Sequence, residues 1–413
     1  MDNKNKSFCV APWISTYVNP QGKVYPCCVW DQDKLGEGLG NVNNDSLENI
    51  YKSNETKRIR QALLSGEILP ECAHCDRQSS REFDVSYRSY LNEKFKHVKI
   101  NSVDSELTLM MWDIRLSNFC NFKCRSCSLA FSSSWFEDHK ILHPTDTVNK
   151  KALIQINDKQ KFLTSLEKHY EYVEEVYFAG GEPLIMPEHY TILEELIKRQ
   201  KQPKLRYNTN LSNLDVKGVP IESYWEKFDT VDIAISIDGI GPIGEYIRKG
   251  FEHQVVVKNI ERIQKFVKNQ RSLGKDFSIN YTVTFGALNY FHMIDFIKFF
   301  VNNNFLNEFS NLQSNPLFGP KELNCKVLPQ SAASKYRILK DEYIESINDG
   351  ILQDKVKNFL NDIYNFSVQE TPDDSQYRIE SFLEHTLKLD NIRNESLKEV
   401  FKGDYLLDFI NIN

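Results

Sequence analysis

Strand-like runs that alternate with amphipathic helices predict an α/β protein centred on a partial (β/α)6 barrel, TIM-like in layout. A cysteine-rich α+β segment precedes the barrel and a helical segment follows it. Three observations carry this expectation: six strand candidates after residue 106, helices at apolar spacing between most of them, and eight of the nine cysteines lying before residue 128. The expected boundaries are 1–105 for the cysteine-rich domain, 106–325 for the barrel and 326–413 for the helices.

The first segment is loop-rich. "VNPQGKVYPCC" reads as two short strands around a Gly turn, since glycine reaches the left-handed backbone that such a turn needs. "DSLENIYKSNETKRIRQALLSG" opens on an Asp/Ser cap, repeats apolar residues at helical spacing and stops at Gly66. "ILPECAHC" returns to loop.

From residue 107 the rhythm changes. The strand candidates are "LTLMMWDIRLS", "EEVYFAG", "KLRYNTN", "VDIAISID", "FSINYTVTF" and "FSNLQSNPL". Helices are expected over "KQKFLTSLEKHYEYV", "PEHYTILEELIKRQ", "HQVVVKNIERIQKFVKNQ" and "YFHMIDFIKFFVNNN". Alternation of this kind builds a parallel sheet from strand–helix–strand units, and such barrels place their chemistry at the C-terminal ends of the strands. From "SKYRILKDEYIESI" to "ESLKEVFKGDYLLDFI" the remainder reads as helices.

Composition narrows the function. Of the 413 residues, 41% are hydrophobic and 26% charged, ordinary for a globular chain able to bury a large core. A net charge of −6 gives no electrostatic case for nucleic acid or an anionic membrane as partner. The start has no apolar stretch of the secretory kind, and no run is long enough to span a bilayer. The expected location is the cytoplasm. There, clustered cysteines point to metal binding rather than to disulfides.

"CNFKCRSC" follows the first barrel strand, so Cys120, Cys124 and Cys127 lie at the end where these sheets place their sites. Three thiolates do not complete a four-coordinate zinc or a four-iron cluster. Either a distant ligand closes the site or a position is left open. "GGEP" follows the second strand and "ISIDG" ends the fourth. Taken singly, these are a strand-to-helix turn, a proline helix start and a cap.

Together, CxxxCxxC, "GGEP" and "ISIDG" resemble the radical S-adenosylmethionine (SAM) enzymes over roughly residues 107 to 320. The resemblance implies that Cys120, Cys124 and Cys127 hold a [4Fe-4S] cluster whose fourth iron binds SAM. It places Gly180, Gly181, Glu182 and Pro183 at the methionyl amino group, Asn208, Thr209 and Asn210 where the third strand meets SAM, and Ser236 and Asp238 toward the ribose. Arg248 resembles the arginine that pairs with the methionyl carboxylate, for which a guanidinium is suited by its two-pronged geometry. Phe122 fills one customary bulky position near the adenine, and Ser126 stands where a large apolar residue is common.

Cys9, Cys27, Cys72 and Cys75 form a second set. The Gx4C spacing from Gly22 to Cys27 and the closing "CAHC" resemble the twitch domain, the shorter relative of the SPASM domain. This implies one auxiliary [4Fe-4S] cluster. The usual twitch domain follows the barrel, whereas this one precedes it. A structural zinc site is the alternative that spacing does not separate. The Gx4C pattern favours Cys27 over Cys28 as ligand, and His74 is expected outside the ligand set.

Reductive cleavage of SAM would then give a 5′-deoxyadenosyl radical that takes a substrate hydrogen, with an electron donor such as flavodoxin or ferredoxin. A cluster with four thiolates has no iron open to substrate and suits electron transfer, so the favoured outcome is oxidation: dehydrogenation or cross-linking. The resemblance leaves both a peptide or protein and an aminosugar or cyclitol as substrate. Cys325, near the sixth strand, is a candidate hydrogen donor for an epimerase, against the commoner reading of a buried core thiol. A non-catalytic iron–sulfur or zinc protein for electron transfer or assembly would explain the cysteines but not the other motifs.

Overall fold

The computed structural model describes residues 5–31, 38–79, 86–100, 102–146, 151–369 and 375–410. Along the chain the strands are β1 (Ser15–Val18), β2 (Lys23–Tyr25), β3 (Gly40–Asn41), β4 (Met111–Ile114), β5 (Lys123–Cys124), β6 (Glu175–Phe178) and β7 (Lys204–Thr209). They continue as β8 (Asp215–Val216), β9 (Val219–Pro220), β10 (Thr230–Ser236), β11 (Arg248–Lys249), β12 (Asp276–Phe285) and β13 (Ser310–Pro316). All six expected barrel strands form, as β4, β6, β7, β10, β12 and β13.

The chain divides into two compact units. One comprises residues 1–118 and 153–206, the other residues 119–152 and 207–413.

In the first unit the strand order is β6-β4-β1-β2-β3. β4 pairs in parallel with β6, Trp112 opposite Val176, and in parallel with β1, Trp112 opposite Thr16. β1 then turns back into β2 through Gly22, whose φ of +82° only glycine adopts without cost. The cysteine-rich segment and the first barrel strand therefore share one ladder. The helix expected up to Gly66 is two helices, Leu47–Lys52 and Asn54–Ser65. Ser53 ends the first and caps the second, its hydroxyl accepting from the Thr56 N–H. A serine's short polar side chain competes for backbone N–H groups, which favours caps over helix interiors. Gly66 stops the second helix at φ +83°, as expected.

In the second unit β10, β12 and β13 pair in parallel, Ile233 opposite Ile279 and Ile279 opposite Ser310. Period-two burial on β12 places Phe277, Ile279, Tyr281, Val283 and Phe285 in the core. Helix His253–Ser272 buries Val256, Ile260, Ile263 and Val267, and helix His292–Asn302 buries Met293, Phe296, Ile297 and Phe300. These are the apolar stripes that the helical spacing predicts. The C-terminal part is helical over Gln330–Glu345, Gly350–Ser367 and Ser375–Arg393, followed by two short turns. The fold is thus the α/β partial barrel expected, with its helical C-terminal segment. No helix among the described residues is long and apolar enough to cross a membrane.

Candidate active site

The four N-terminal thiols meet in the first unit. Cys9, Cys27, Cys72 and Cys75 line one cavity, together with Ala11, Pro12, Val29, Trp30 and Leu63. The walls are largely apolar, and two buried charged residues join the lining: Glu71, and Arg88, which is 5% exposed, acts on Cys72 and pairs with Asp76 at 2.8 Å. Burial pushes the Cys9 thiol up to about 11 and the Cys72 thiol up to about 12. Burial also raises Cys27, with Cys28, Cys9, Cys72 and Cys75 adding to it. A thiol crowded by others loses its proton readily only to a metal, so loading this site releases protons. Thiols that surround a cavity suit a cluster, which offers one iron to each. His74 is exposed. Cys28 is absent from the cavity lining and lies toward Asp113, Arg115 and Arg206.

That polar group is a feature the sequence reading missed. Asp113 on β4 is 2% exposed and receives Nε and Nη2 of Arg115 at 3.0 and 3.1 Å. The Arg115 guanidinium lies 4.7 Å from the Tyr17 ring centroid, and the Arg206 guanidinium 4.9 Å from that of Tyr177. Glu175, fully buried, accepts from Arg206, Tyr90 and Lys94. The only sequence signal was a charged pair inside the apolar run "MMWDIR".

The "GGEP" turn also belongs to the first unit. Gly180 and Gly181 both have positive φ, +73° and +51°. A Cβ at Gly180 would stand 2.8 Å from Cβ of Arg115, so the motif glycine is required twice, by its backbone and by its neighbour. Glu182 is 1% exposed and its carboxylate accepts from the Leu184 N–H, capping the turn that starts at Pro183. Gly180→Ala should lower stability by about 1–2 kcal/mol from the left-handed backbone alone, with a further loss from displaced Arg115. Thermal unfolding checks it; an unshifted midpoint would show that the turn relaxes.

The cysteine triplet lies in the second unit. β5, which ends at Cys124, pairs antiparallel with β11, and Arg248 is the residue opposite Cys124. The loop around it is held at many points. The Phe122 N–H donates to the Cys120 sulfur at 3.4 Å, the Ser134 hydroxyl to the Cys120 carbonyl at 2.7 Å, and Trp135 Nε1 to the Cys124 carbonyl at 2.9 Å. Cys127 closes a turn onto the Cys124 carbonyl. Cys124 is 9% exposed, while Cys120 and Cys127 are half-buried. Burial, then Cys124, pushes the Cys127 thiol up to about 12.

Around this loop the structure gathers several of the expected SAM contacts. Arg248 is buried and donates through Nη1 to Asp238 at 2.7 Å. Burial opposes its charge, but the neighbouring Cys124 and Asp238 outweigh that and hold it protonated. Its Nε is buried with no hydrogen-bond partner in the described structure. A buried donor left unmade is costly, and an incoming carboxylate would satisfy it. The residues therefore fit the carboxylate of a cofactor beside the triplet. Asp238, 1% exposed, also accepts from the Thr284 N–H at 2.7 Å. Asn210 donates to Asn121 in the loop between the first two cysteines. Thr209 accepts from the Leu211 N–H, Asn208 is half-buried on β7, and Ser236 is half-buried at the end of β10. Phe122 is 1% exposed, edge-on to Phe251. Ser126 is half-buried. Cys325 is buried, near Tyr290 and Tyr336, and burial pushes its thiol up to about 12.

Residues 9–76 match the SPASM model, an iron–sulfur cluster-binding domain, and residues 114–299 match the radical SAM superfamily model. No curated protein matches the chain. Among solved structures, native anSMEcpe with bound AdoMet and the Cp18Cys peptide is 19% identical over 56% of this chain and 58% of its own, with a TM-score of 0.35. Streptococcus suis SuiB bound to the precursor peptide SuiA is 16% identical over 70% of this chain and 58% of its own, with a TM-score of 0.31. The chain thus spans under two thirds of either protein, and the bound peptides are properties of those proteins. With its two cysteine sets, its "GGEP" turn and both domain matches, the chain carries a SPASM-type iron–sulfur domain ahead of a radical SAM domain, and its cofactors are SAM and [4Fe-4S] clusters.

Proposed function

We propose that the chain is an oxidising radical SAM enzyme acting on a peptide or protein, or on an aminosugar or cyclitol. When bound, the cofactors supply a 5′-deoxyadenosyl radical that removes a substrate hydrogen, with flavodoxin or ferredoxin as electron donor. The observation that carries the oxidative reading is the closed set of four thiols around one cavity. With every ligand position taken by Cys9, Cys27, Cys72 or Cys75, the auxiliary site is suited to moving an electron and not to anchoring substrate. The chain's other residues orient and protect. Arg248 presents its buried Nε to the carboxylate of SAM, and Asp238 holds that guanidinium in place.

The position of Cys325 supports the core reading over that of a hydrogen donor. Formation of 5′-deoxyadenosine above the substrate-free rate, measured across panels of peptides and aminosugars, identifies the substrate class. Cys325→Ala is then expected to keep turnover, with SAM consumed in fixed ratio to oxidised product. Solvent deuterium at an inverted carbon, present with the wild type in D2O and absent with Cys325→Ala, would overturn oxidation in favour of epimerisation.

A further inference from the structure

Both neighbours of Cys124 are cations, and the C-terminal segment reaches Arg125 directly and Lys123 through Asp138. Arg125 is 1% exposed. Its Nη2 donates to Asp390 and, at 2.6 Å, to Glu395. Its guanidinium carbon lies 3.6 Å from the Tyr246 ring centroid, and the Tyr246 hydroxyl donates to the same Asp390 at 2.7 Å. The second Asp390 oxygen accepts from the Leu397 N–H at 2.7 Å, fixing the carboxylate from behind. On the other side, Lys123 pairs with Asp138 at 2.9 Å, and Asp138 receives Arg393 Nε at 2.7 Å. Arg393 in turn lies over Trp135, whose indole donates to the Cys124 carbonyl. Asp390 and Arg393 share the helix Ser375–Arg393 and lie nearly one turn apart, so one helix holds both flanks of Cys124. Lys249, beside Arg248 on β11, joins through Glu395 at 2.8 Å.

We propose that the helix Ser375–Arg393 and the turn after it position the cysteine loop and set the charge around its cluster. Asp390, Glu395 and Arg393 are positioning residues: they act through Arg125, Asp138 and Trp135 and do not ligate. Four cations (Lys123, Arg125, Lys249 and Arg393) meet three carboxylates (Asp138, Asp390 and Glu395). The loop thus keeps a positive balance beside an anionic cluster, with its buried guanidinium compensated. A general packing role for the helix would need only apolar contacts. Paired charges on both sides of one ligand specify the loop's position and its electrostatics together. Arginine stays charged in any such site, so removing its carboxylates leaves the positive charge unbalanced next to the cluster.

The inference rests on the reading of Cys120, Cys124 and Cys127 as ligands, which iron counts on cysteine variants test separately. Its own test uses the full reconstituted chain and follows the reduced-cluster EPR signal that SAM perturbs, which reports this cluster and not the auxiliary one. In Glu395→Gln, at the more exposed end of the network, and in Asp390→Asn, that signal is expected to appear at higher potential. A reduced-to-oxidised ratio changed about tenfold at fixed poise corresponds to ~59 mV for one electron. Asp390→Glu should return it to the wild-type value. If Asp390→Asn loses iron, the double variant Arg125→Leu/Asp390→Leu, which removes both charges, should regain it. An unchanged potential and EPR signal in folded Glu395→Gln and Asp390→Asn would overturn the proposal, as would a double variant no better than Asp390→Asn.

Discussion

Replacing Cys120, Cys124 and Cys127 together by alanine is expected to abolish SAM cleavage and to lower iron from roughly eight to roughly four per chain, since each complete cysteine set holds one four-iron cluster. The loss is all-or-none because the three thiols share one short loop that is otherwise braced by Ser134, Trp135 and β11. That bracing should preserve the fold, so the remaining irons report the site of Cys9, Cys27, Cys72 and Cys75. Eight irons retained would move the SAM-binding cluster elsewhere. Zinc in place of the residual iron after anaerobic purification would remove the auxiliary cluster from that site.

Arg248→Ala carries the second large effect, and the structure divides it into two parts. Loss of a charged hydrogen bond to the SAM carboxylate should weaken binding by roughly 1.5–3 kcal/mol. The same change strands Asp238, 1% exposed, without its cation, and breaking a buried pair from one side costs about 3–5 kcal/mol of stability. Arg248→Lys separates the two. It keeps a positive charge for Asp238 but lacks the fork and the buried Nε, so the melting temperature should recover while SAM affinity stays low. Wild-type SAM affinity in a folded Arg248→Lys would show that the guanidinium serves the fold alone.

The parts of this site legible in the sequence were those written in local spacing. CxxxCxxC, Gx4C with CAHC, and "GGEP" are short patterns whose chemistry is implied by their resemblance to radical SAM and twitch motifs. The six strands followed from period-two runs between helical stripes. What stayed hidden depends on distant partners. Nothing in "CRSC" shows that Arg125 is held by a carboxylate 265 residues later, because an ion pair leaves no periodic trace. The Asp113–Arg115 pair was visible only as two charges in an apolar strand, and its meaning came from Gly180 and Tyr17 packing on the arginine. The stretch up to Gly66 read as one helix, and the break at Ser53 turns on a single hydroxyl that caps the second. The partners of Asp238, the Arg248 guanidinium and the Thr284 N–H, were likewise not written in local spacing.

The parallel ladder between β1 and β4 bears on biogenesis. The four thiols around the cavity, Cys9, Cys27, Cys72 and Cys75, leave the ribosome before the barrel does, and the β1–β2–β3 meander closes through contacts near in sequence. Domains form from the N-terminus as they are synthesised, so this segment is expected to be a template onto which β4 docks by strand addition. A chain shortened to begin near residue 106 would instead bare the backbone edge of β4 that pairs with β1, in a strand whose Met111, Trp112 and Ile114 are buried. An unpaired apolar edge of this kind recruits other chains. The trimmed barrel should therefore accumulate as aggregate rather than as a smaller enzyme.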